Sequence, residues 1–403
     1  MDNTHRKKVL FIANHKGFSK FNAPFMAWFK EQGWQVDNAS PGIEIGDVDC
    51  QYDVDIQRTP FSWRNYRAYK RLKTIIELNH YDLIHVHTPM GAALGRLAAI
   101  KARKKGTKVI YTAHGFHFFK GAALKNWLLY YPMERLLSSF TDAVVTINDE
   151  DFERAKKLNL AHGNIFHIDG VGVNLERFHP ISKIEKHEIR KKIGLRDSDF
   201  VVLYVAQFIP RKNHQLIIHQ IQNIVKTVPD FKVVFAGNGE TLLQCKTLAE
   251  QMGVSKYIMF LGGRSDIPDL CGMADIHVSP SLQEGLAIGN IEAMATGCPL
   301  VLSNIRGHRE VCRDGINGYL FDLNDPQKMT DSIIVLFQDK ERYELIKEQK
   351  EKILNEIAKL DYYLKEIEYK EWYYKTAIEA GTESIHDNRG IKADLEPDTI
   401  PEK

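Results

Sequence analysis

Residues 279–304 read SPSLQEGLAIGNIEAMATGCPLVLSN, and the reading of this stretch decides the fold. Residues 275–279 have the look of a strand end and 280–287 of a loop. Residues 289–296 form a short apolar helix closed by Gly297, and Pro299 opens the next strand. A strand, loop, helix and strand in this order form one turn of a parallel sheet, with the loop at the carboxyl end of the first strand. Backbone amides near residues 286–289 then point into the crevice above the strand ends, where an anionic group binds without needing a metal. Two carboxylates, Glu284 in the loop and Glu292 in the helix, stand eight positions apart around this turn.

The same alternation runs outward in both directions. Strands are expected at 9–13, 35–38, 82–88, 108–114, 142–148 and 164–169. A second set follows at 200–207, 231–237, 258–262, 275–279 and 299–303, with helical patterns between most of them. A chain of 403 residues exceeds what one core usually serves, so two doubly wound parallel-sheet units are expected. Phe25, Trp28 and Phe29, with Phe21 at helical spacing before them, read as core. No Gly-x-Gly-x-x-Gly follows any strand, so a dinucleotide-dependent oxidoreductase has no fingerprint here.

Composition narrows the class further. A net charge of +2 argues against a nucleic-acid-binding surface. Five cysteines without a Cys-x-x-Cys pair fit reduced thiols in a cytoplasmic protein. The first apolar run is broken at once by Asn14, His15 and Lys16, too soon for a signal peptide, and no stretch is long enough to span a bilayer. Membrane contact would therefore be peripheral. Residues 63–73, WRNYRAYKRLK, interleave five cations with Trp63, Tyr66 and Tyr69, and residues 116–131 add a second aromatic segment. On a helix the first pattern suits an anionic membrane surface, and it equally suits a solvated face.

The frame around the two glutamates, PSxxEGL…xEAMAxGxPLVxS followed by GxxExxxxGxxGxL from Gly307 to Leu320, closely resembles the retaining glycosyltransferases of family 4. That resemblance implies the α/β GT-B fold: two Rossmann-like parallel-sheet domains, a deep cleft between them, and a C-terminal helix crossing back to the first domain. It divides the chain into an acceptor-binding domain (1–178), a linker with a leading helix (179–199) and a nucleotide-sugar-binding domain (200–358). The crossing helix would be 359–380, and the polar tail 381–403 is expected to be disordered.

By the same resemblance, His114 in YTAHGFH lies close to the donor sugar and diphosphate, with His117 as the reserve candidate. Lys212 in AQFIPRKNH reaches the diphosphate. Gln207 stands where the family usually has arginine, and Arg211 is the residue able to compensate. Gly237, Asn238 and Gly239 border the donor pocket, and Arg264 lies where the base stacks. Gly285, Leu286 and Ala287 supply the amide loop, Glu284 faces sugar hydroxyls, and Glu292 faces the ribose. The first-strand loop, with His15, Lys16, Gly17 and Phe18, would hold the acceptor and approach the donor at Gly17; the family often has two glycines there. His114, Lys212 and Glu284 are the candidate catalytic residues.

No metal and no resident cofactor are expected; the nucleotide sugar, UDP-linked in the commonest case, is a co-substrate. The implied reaction is retaining hexosyl or N-acetylhexosaminyl transfer onto a glycan or polyprenyl-diphosphate-linked acceptor, in capsule, exopolysaccharide or lipid-linked oligosaccharide synthesis. A nucleotide-sugar epimerase on the same fold and a non-catalytic sugar-nucleotide-binding partner subunit remain the alternatives.

Overall fold

The computed structural model describes residues 6–15, 19–42, 48–168, 170 and 172–339. Apolar runs such as VLFI and FVVLYV are buried on both faces, as strands of a covered parallel sheet must be. The first sheet contains β1 (Lys8–Ile12), β2 (Gln35–Ser40), β3 (Cys50–Asp53), β4 (Leu83–His87), β5 (Lys108–Ala113), β6 (Ala143–Thr146) and β7 (Ile165–His167). The second contains β8 (Phe200–Val205), β9 (Phe231–Ala236), β10 (Ile258–Gly262), β11 (Ile276–Ser279), β12 (Leu300–Ser303) and β13 (Gly318–Phe321). Their orders are β3-β2-β1-β4-β5-β6-β7 and β10-β9-β8-β11-β12-β13, and the paired strands run parallel.

Both orders are Rossmann orders, and both reverse direction beside the first strand of the sheet, between β1 and β4 and between β8 and β11. Chain leaving the two strands at such a point diverges to opposite faces, which opens a crevice at their carboxyl ends. Both sheets lie in one compact unit. The helix Lys183–Lys192 begins with a capping box between Ser182 and Glu185 and lies against the second sheet. Its buried Arg190 donates to the Met273 carbonyl and pairs with Asp275 at 2.7 Å.

Two strands escaped the sequence pattern, for a common reason. β3 (CQYD) and β13 (GYLF) are four-residue edge strands, and β3 carries too few apolar residues to announce itself. The expectation that Trp28 is core also fails. In the helix Ser19–Glu31, Phe25 and Phe29 pack on Val9 and Phe11, while Trp28 leans edge-on against Phe29 and stays 54% exposed. In the helix Leu124–Ser138, Trp127, Tyr130 and Tyr131 meet the core, whereas Leu124, Leu128 and Leu136 face outward. The five cysteines are free, and four of them are buried.

Six imidazoles lie beneath the two crevices, four of them (His87, His214, His277 and His308) buried and two (His85 and His114) half-buried. Burial is the leading cause that lowers His85 and His214 to about 3, His114, His277 and His308 to about 4, and His87 well below its ordinary value. In the unfolded chain the same groups titrate near 6.5, so below that pH unfolding takes up protons. Their contribution to stability is thus complete above about pH 6.5 and is lost as pH falls toward the folded values. We expect urea midpoints to be level between about pH 8 and 7 and to drop steeply between about pH 6.5 and 5, before most carboxylates titrate. A level profile down to about pH 5 would show that these imidazoles are not held neutral by the fold.

Candidate active site

The chain leaves β8 through AQFIPRKNH. A short 3₁₀ turn, Pro210–Lys212, ends at Asn213, whose φ of 52° turns the backbone sharply into the helix His214–Ile224. The Leu282 amide donates to the Arg211 carbonyl at 2.8 Å, and the Tyr204 hydroxyl donates to the Lys212 carbonyl at 2.8 Å. The first bond fastens the loop after β8 to the loop after β11, and the second ties that loop back to β8 itself. Adjacent side chains often diverge, yet here both cations reach the same carboxylate. Lys212 Nζ lies 2.6 Å from Glu284 Oε1, and Arg211 Nη1 lies 3.4 Å from Oε2.

Glu284 is only 6% exposed. Burial pushes its carboxyl up, but Lys212 and Arg211 together hold it below the usual range, so it is ionised. Two cations against one anion leave a local excess of one positive charge. Gln207, at the position where an arginine was expected, is exposed, and Arg211 takes the place beside Lys212.

The glycine turn serves this loop sterically. A Cβ on Gly237 would lie 1.9 Å from the Ala206 carbonyl, and one on Gly239 would lie 2.2 Å from that of Phe208. Between them the Asn238 carbonyl accepts from the Phe208 amide at 2.9 Å, and the Asn238 side chain rests against Gly263. Arg264 is turned onto Asp266 in a two-pronged pair. Leu286 reaches across to Gly170 of the first half. The helix Ile288–Ala295 starts at Ala287 with no side-chain cap. Glu292 lies inside it, half-buried, with no hydrogen bond or ion pair among the described residues. Burial raises its pKa, and nearby Arg177 partly offsets this.

The first half supplies the opposing wall. β5 ends at Ala113, and His114 Nε2 shares a 3.2 Å hydrogen bond with His87 Nδ1. His85, His87 and Phe11 continue the stack beneath. His117 packs on Tyr130, and burial followed by the charge of Arg306 lowers its pKa. The wall then touches the donor loop backbone to backbone, since a Cβ on Gly285 would fall 1.9 Å from the His114 carbonyl. His15 is exposed just beyond β1, and Lys16, Gly17 and Phe18 lie outside the described residues, as does the chain from 340 onward.

Sequence reasoning missed several parts of this wall. His87 carries no local mark of its place, although β4 sets it directly behind His114. Thr88, next along, has φ 60° and ψ 149°, a conformation costing a β-branched residue roughly 1–3 kcal/mol, and its hydroxyl accepts from the Asn14 amide at 3.1 Å. Arg306 and Asp151 were passed over as well. An arginine immediately before Gly307, just past the end of a buried strand, was the available signal.

Residues 185–353 match the family "Glycosyl transferases group 1", and residues 8–148 match "Glycosyl transferase 4-like". The chain is 44% identical over 321 residues to the "Putative glycosyltransferase EpsD" of Bacillus subtilis, covering 79% of this chain and 84% of that one. It is 30% identical over 307 residues to the UDP-Gal:alpha-D-GlcNAc-diphosphoundecaprenol alpha-1,3-galactosyltransferase of Escherichia coli, covering 73% and 78%. Among solved structures, Anabaena Alr3699/HepE in complex with UDP and glucose superimposes with a TM-score of 0.70 at 18% identity, over 86% of this chain and 94% of that one. Two Rossmann-like sheets, matched family by family to the two halves and supported by relatives that align across both, make this chain a member of the family 4-like glycosyltransferases with the GT-B fold.

Proposed function

We propose that this glycosyltransferase moves a sugar from a UDP-sugar to a polyprenyl-diphosphate-linked glycan, with retention at the anomeric carbon and without a divalent metal. The observation that carries the reading is the convergence of Lys212 and Arg211 on Glu284, beside the loop of His114. Departure of a nucleoside diphosphate builds negative charge on phosphate oxygens, and two fixed cations in a partly dry crevice stabilise it as it forms. In the free enzyme Glu284 occupies those cations. A diphosphate that takes them over releases the carboxylate to accept from hydroxyls of the donor sugar.

Glu292, with no partner among the described residues to compete, accepts from the ribose hydroxyls. The neutral His114 imidazole donates to or accepts from the sugar without adding a charge. A carboxylate engaged by two cations is a poor nucleophile, which favours front-face attack through an oxocarbenium-like ion pair over double displacement. The name of the Escherichia coli relative supports a UDP donor and a lipid-diphosphate acceptor, and the bound UDP of the Anabaena structure fits the same donor.

Such an acceptor lies at a membrane, and one face of the first half suits that surface. No described helix is long and apolar enough to cross a bilayer. On the helix Arg64–Asn79, Arg67 stacks over Trp63 and Lys70 over Tyr66, with both aromatic rings largely exposed. Leu124, Leu128 and Leu136 project from the helix Leu124–Ser138. Both helices pack against the one between them, Pro89–Ala98, and so share a side of the sheet. Cations stacked on aromatic rings, flanked by exposed leucines, match an anionic lipid interface.

The decisive assay offers UDP-glucose, UDP-galactose and their N-acetylamino counterparts with a synthetic GlcNAc-diphospholipid. Turnover should survive excess chelator, and Lys212→Ala should lower the rate by about a hundredfold or more. Abolition by chelator with rescue by magnesium would contradict the metal-free mechanism, and epimerised donor without transfer would convert the assignment to an epimerase. In a separate experiment, vesicles containing anionic lipid should sediment the protein and salt should release it, whereas equal sedimentation by neutral vesicles would exclude the basic helix from the contact.

A further inference from the structure

We infer that Arg306 and Asp151 form a positioning clamp that fixes the His114 loop against the donor loop; the inference rests on the transfer reaction proposed above. Arg306 begins the short helix after β12, and Asp151 lies in the helix Asp149–Lys157 after β6, so the two come from different sheets. Arg306 Nη1 donates to Asp151 Oδ1 at 2.6 Å. Each partner also holds one backbone group of the same residue, Phe116, in the loop between them. The Phe116 amide donates to Asp151 Oδ2 at 2.9 Å, and Arg306 Nη2 donates to the Phe116 carbonyl at 2.8 Å. Phe116 lies between His114 and His117, so both imidazoles hang from a residue whose backbone is gripped from two sides.

The surroundings leave the pair little freedom. Arg306 is 6% exposed and Asp151 is 0% exposed. Asn148 Nδ2 donates to Asp151 Oδ2 at 2.9 Å, and the guanidinium lies 4.4 Å from the centroid of the Phe119 ring. A second bond crosses nearby, from the Asp149 amide to Glu310 at 3.1 Å. Gly307, the next residue after Arg306, backs the donor loop closely, since a Cβ there would lie 2.7 Å from the Gly285 carbonyl. One segment, 306–310, therefore touches both the wall that carries His114 and the loop that carries Glu284. Moving the 116 loop away from segment 306–310 requires breaking a buried, hydrogen-bonded ion pair, which strands a charge.

None of these contacts involves Lys212, Arg211 or Glu292. The clamp should therefore act on turnover and leave nucleotide affinity alone. Lysine at 306 keeps the charge, but its single ammonium cannot reproduce the fork that spans Asp151 and Phe116, so it should restore only part of the effect.

The test uses the full chain, with UDP as the calorimetric probe and the donor panel above for turnover. Arg306→Met should lower kcat by about tenfold or more, while the UDP dissociation constant moves by less than about threefold; Arg306→Lys should fall between Arg306→Met and wild type. Unchanged kcat in Arg306→Met, or equal losses in kcat and UDP affinity, would overturn the clamp. If Arg306→Met does not fold, Arg306→Lys decides by the same split. Failure of both to fold makes the pair a folding requirement and overturns the positioning role. If wild type binds UDP but turns over no donor, the proposed reaction fails, and small-angle scattering then reads the clamp alone. A larger radius of gyration for ligand-free Arg306→Met, or for Arg306→Lys should that variant alone fold, supports the clamp, and an unchanged radius refutes it.

Discussion

The site depends on a close approach that only glycine permits. The loop after β5 and the loop after β11 meet with no side chain between them, because residues 115, 285 and 307 all lack a Cβ. At Gly285 an added Cβ would overlap the His114 carbonyl, and at Gly307 it would press on the carbonyls of both Gly285 and Glu284. Gly115 also has φ 132°, which L side chains rarely adopt. Backbone contact of this kind sets the loop that carries His114 against the loop that carries Glu284 and, through it, its two cations. A single methyl group at 285 would push the two loops apart.

Buried ion pairs hold the scaffold around that contact. Arg96 and Glu134 meet at 2.8 Å with both side chains almost fully buried, and Arg96 also lies over the Tyr111 ring, so the helices that follow β4 and β5 are fixed to each other and to the sheet. Arg190 does the same for the linker helix through Asp275. Such pairs add little net stability compared with apolar packing, but breaking one strands a charge, so each penalises alternative arrangements. In the active site the logic is reversed. Lys212 and Arg211 share a single anion, Glu284, and under the proposed reaction a diphosphate takes its place.

The sheets were legible in the sequence because parallel strands are buried on both faces and read as uninterrupted apolar runs, and their alternation with helices implied parallel, doubly wound sheets. The second-half loop was legible as well, since Glu284, Gly285 and Glu292 sit at fixed offsets within one continuous stretch. What could not be read were contacts between segments far apart in the chain. Arg306 and Asp151 are separated by more than one hundred and fifty positions, and nothing local pairs one with the other. His87 and His114 are neighbours only because β4 and β5 pair in register. Short polar edge strands such as β3 carry no periodicity strong enough to stand out, and Trp28 shares its helical spacing with residues that do face the core.

The central claim is that Lys212 and Arg211 are the diphosphate site and that Glu284 holds their place until the donor arrives. A crystal structure of the protein with UDP tests it most directly. The account predicts diphosphate oxygens within hydrogen-bonding distance of Lys212 Nζ and the Arg211 guanidinium, the Lys212 to Glu284 contact lengthened from 2.6 Å beyond bonding range, and ribose hydroxyls on Glu292. A diphosphate seated elsewhere, with the Lys212 to Glu284 pair intact, would contradict it.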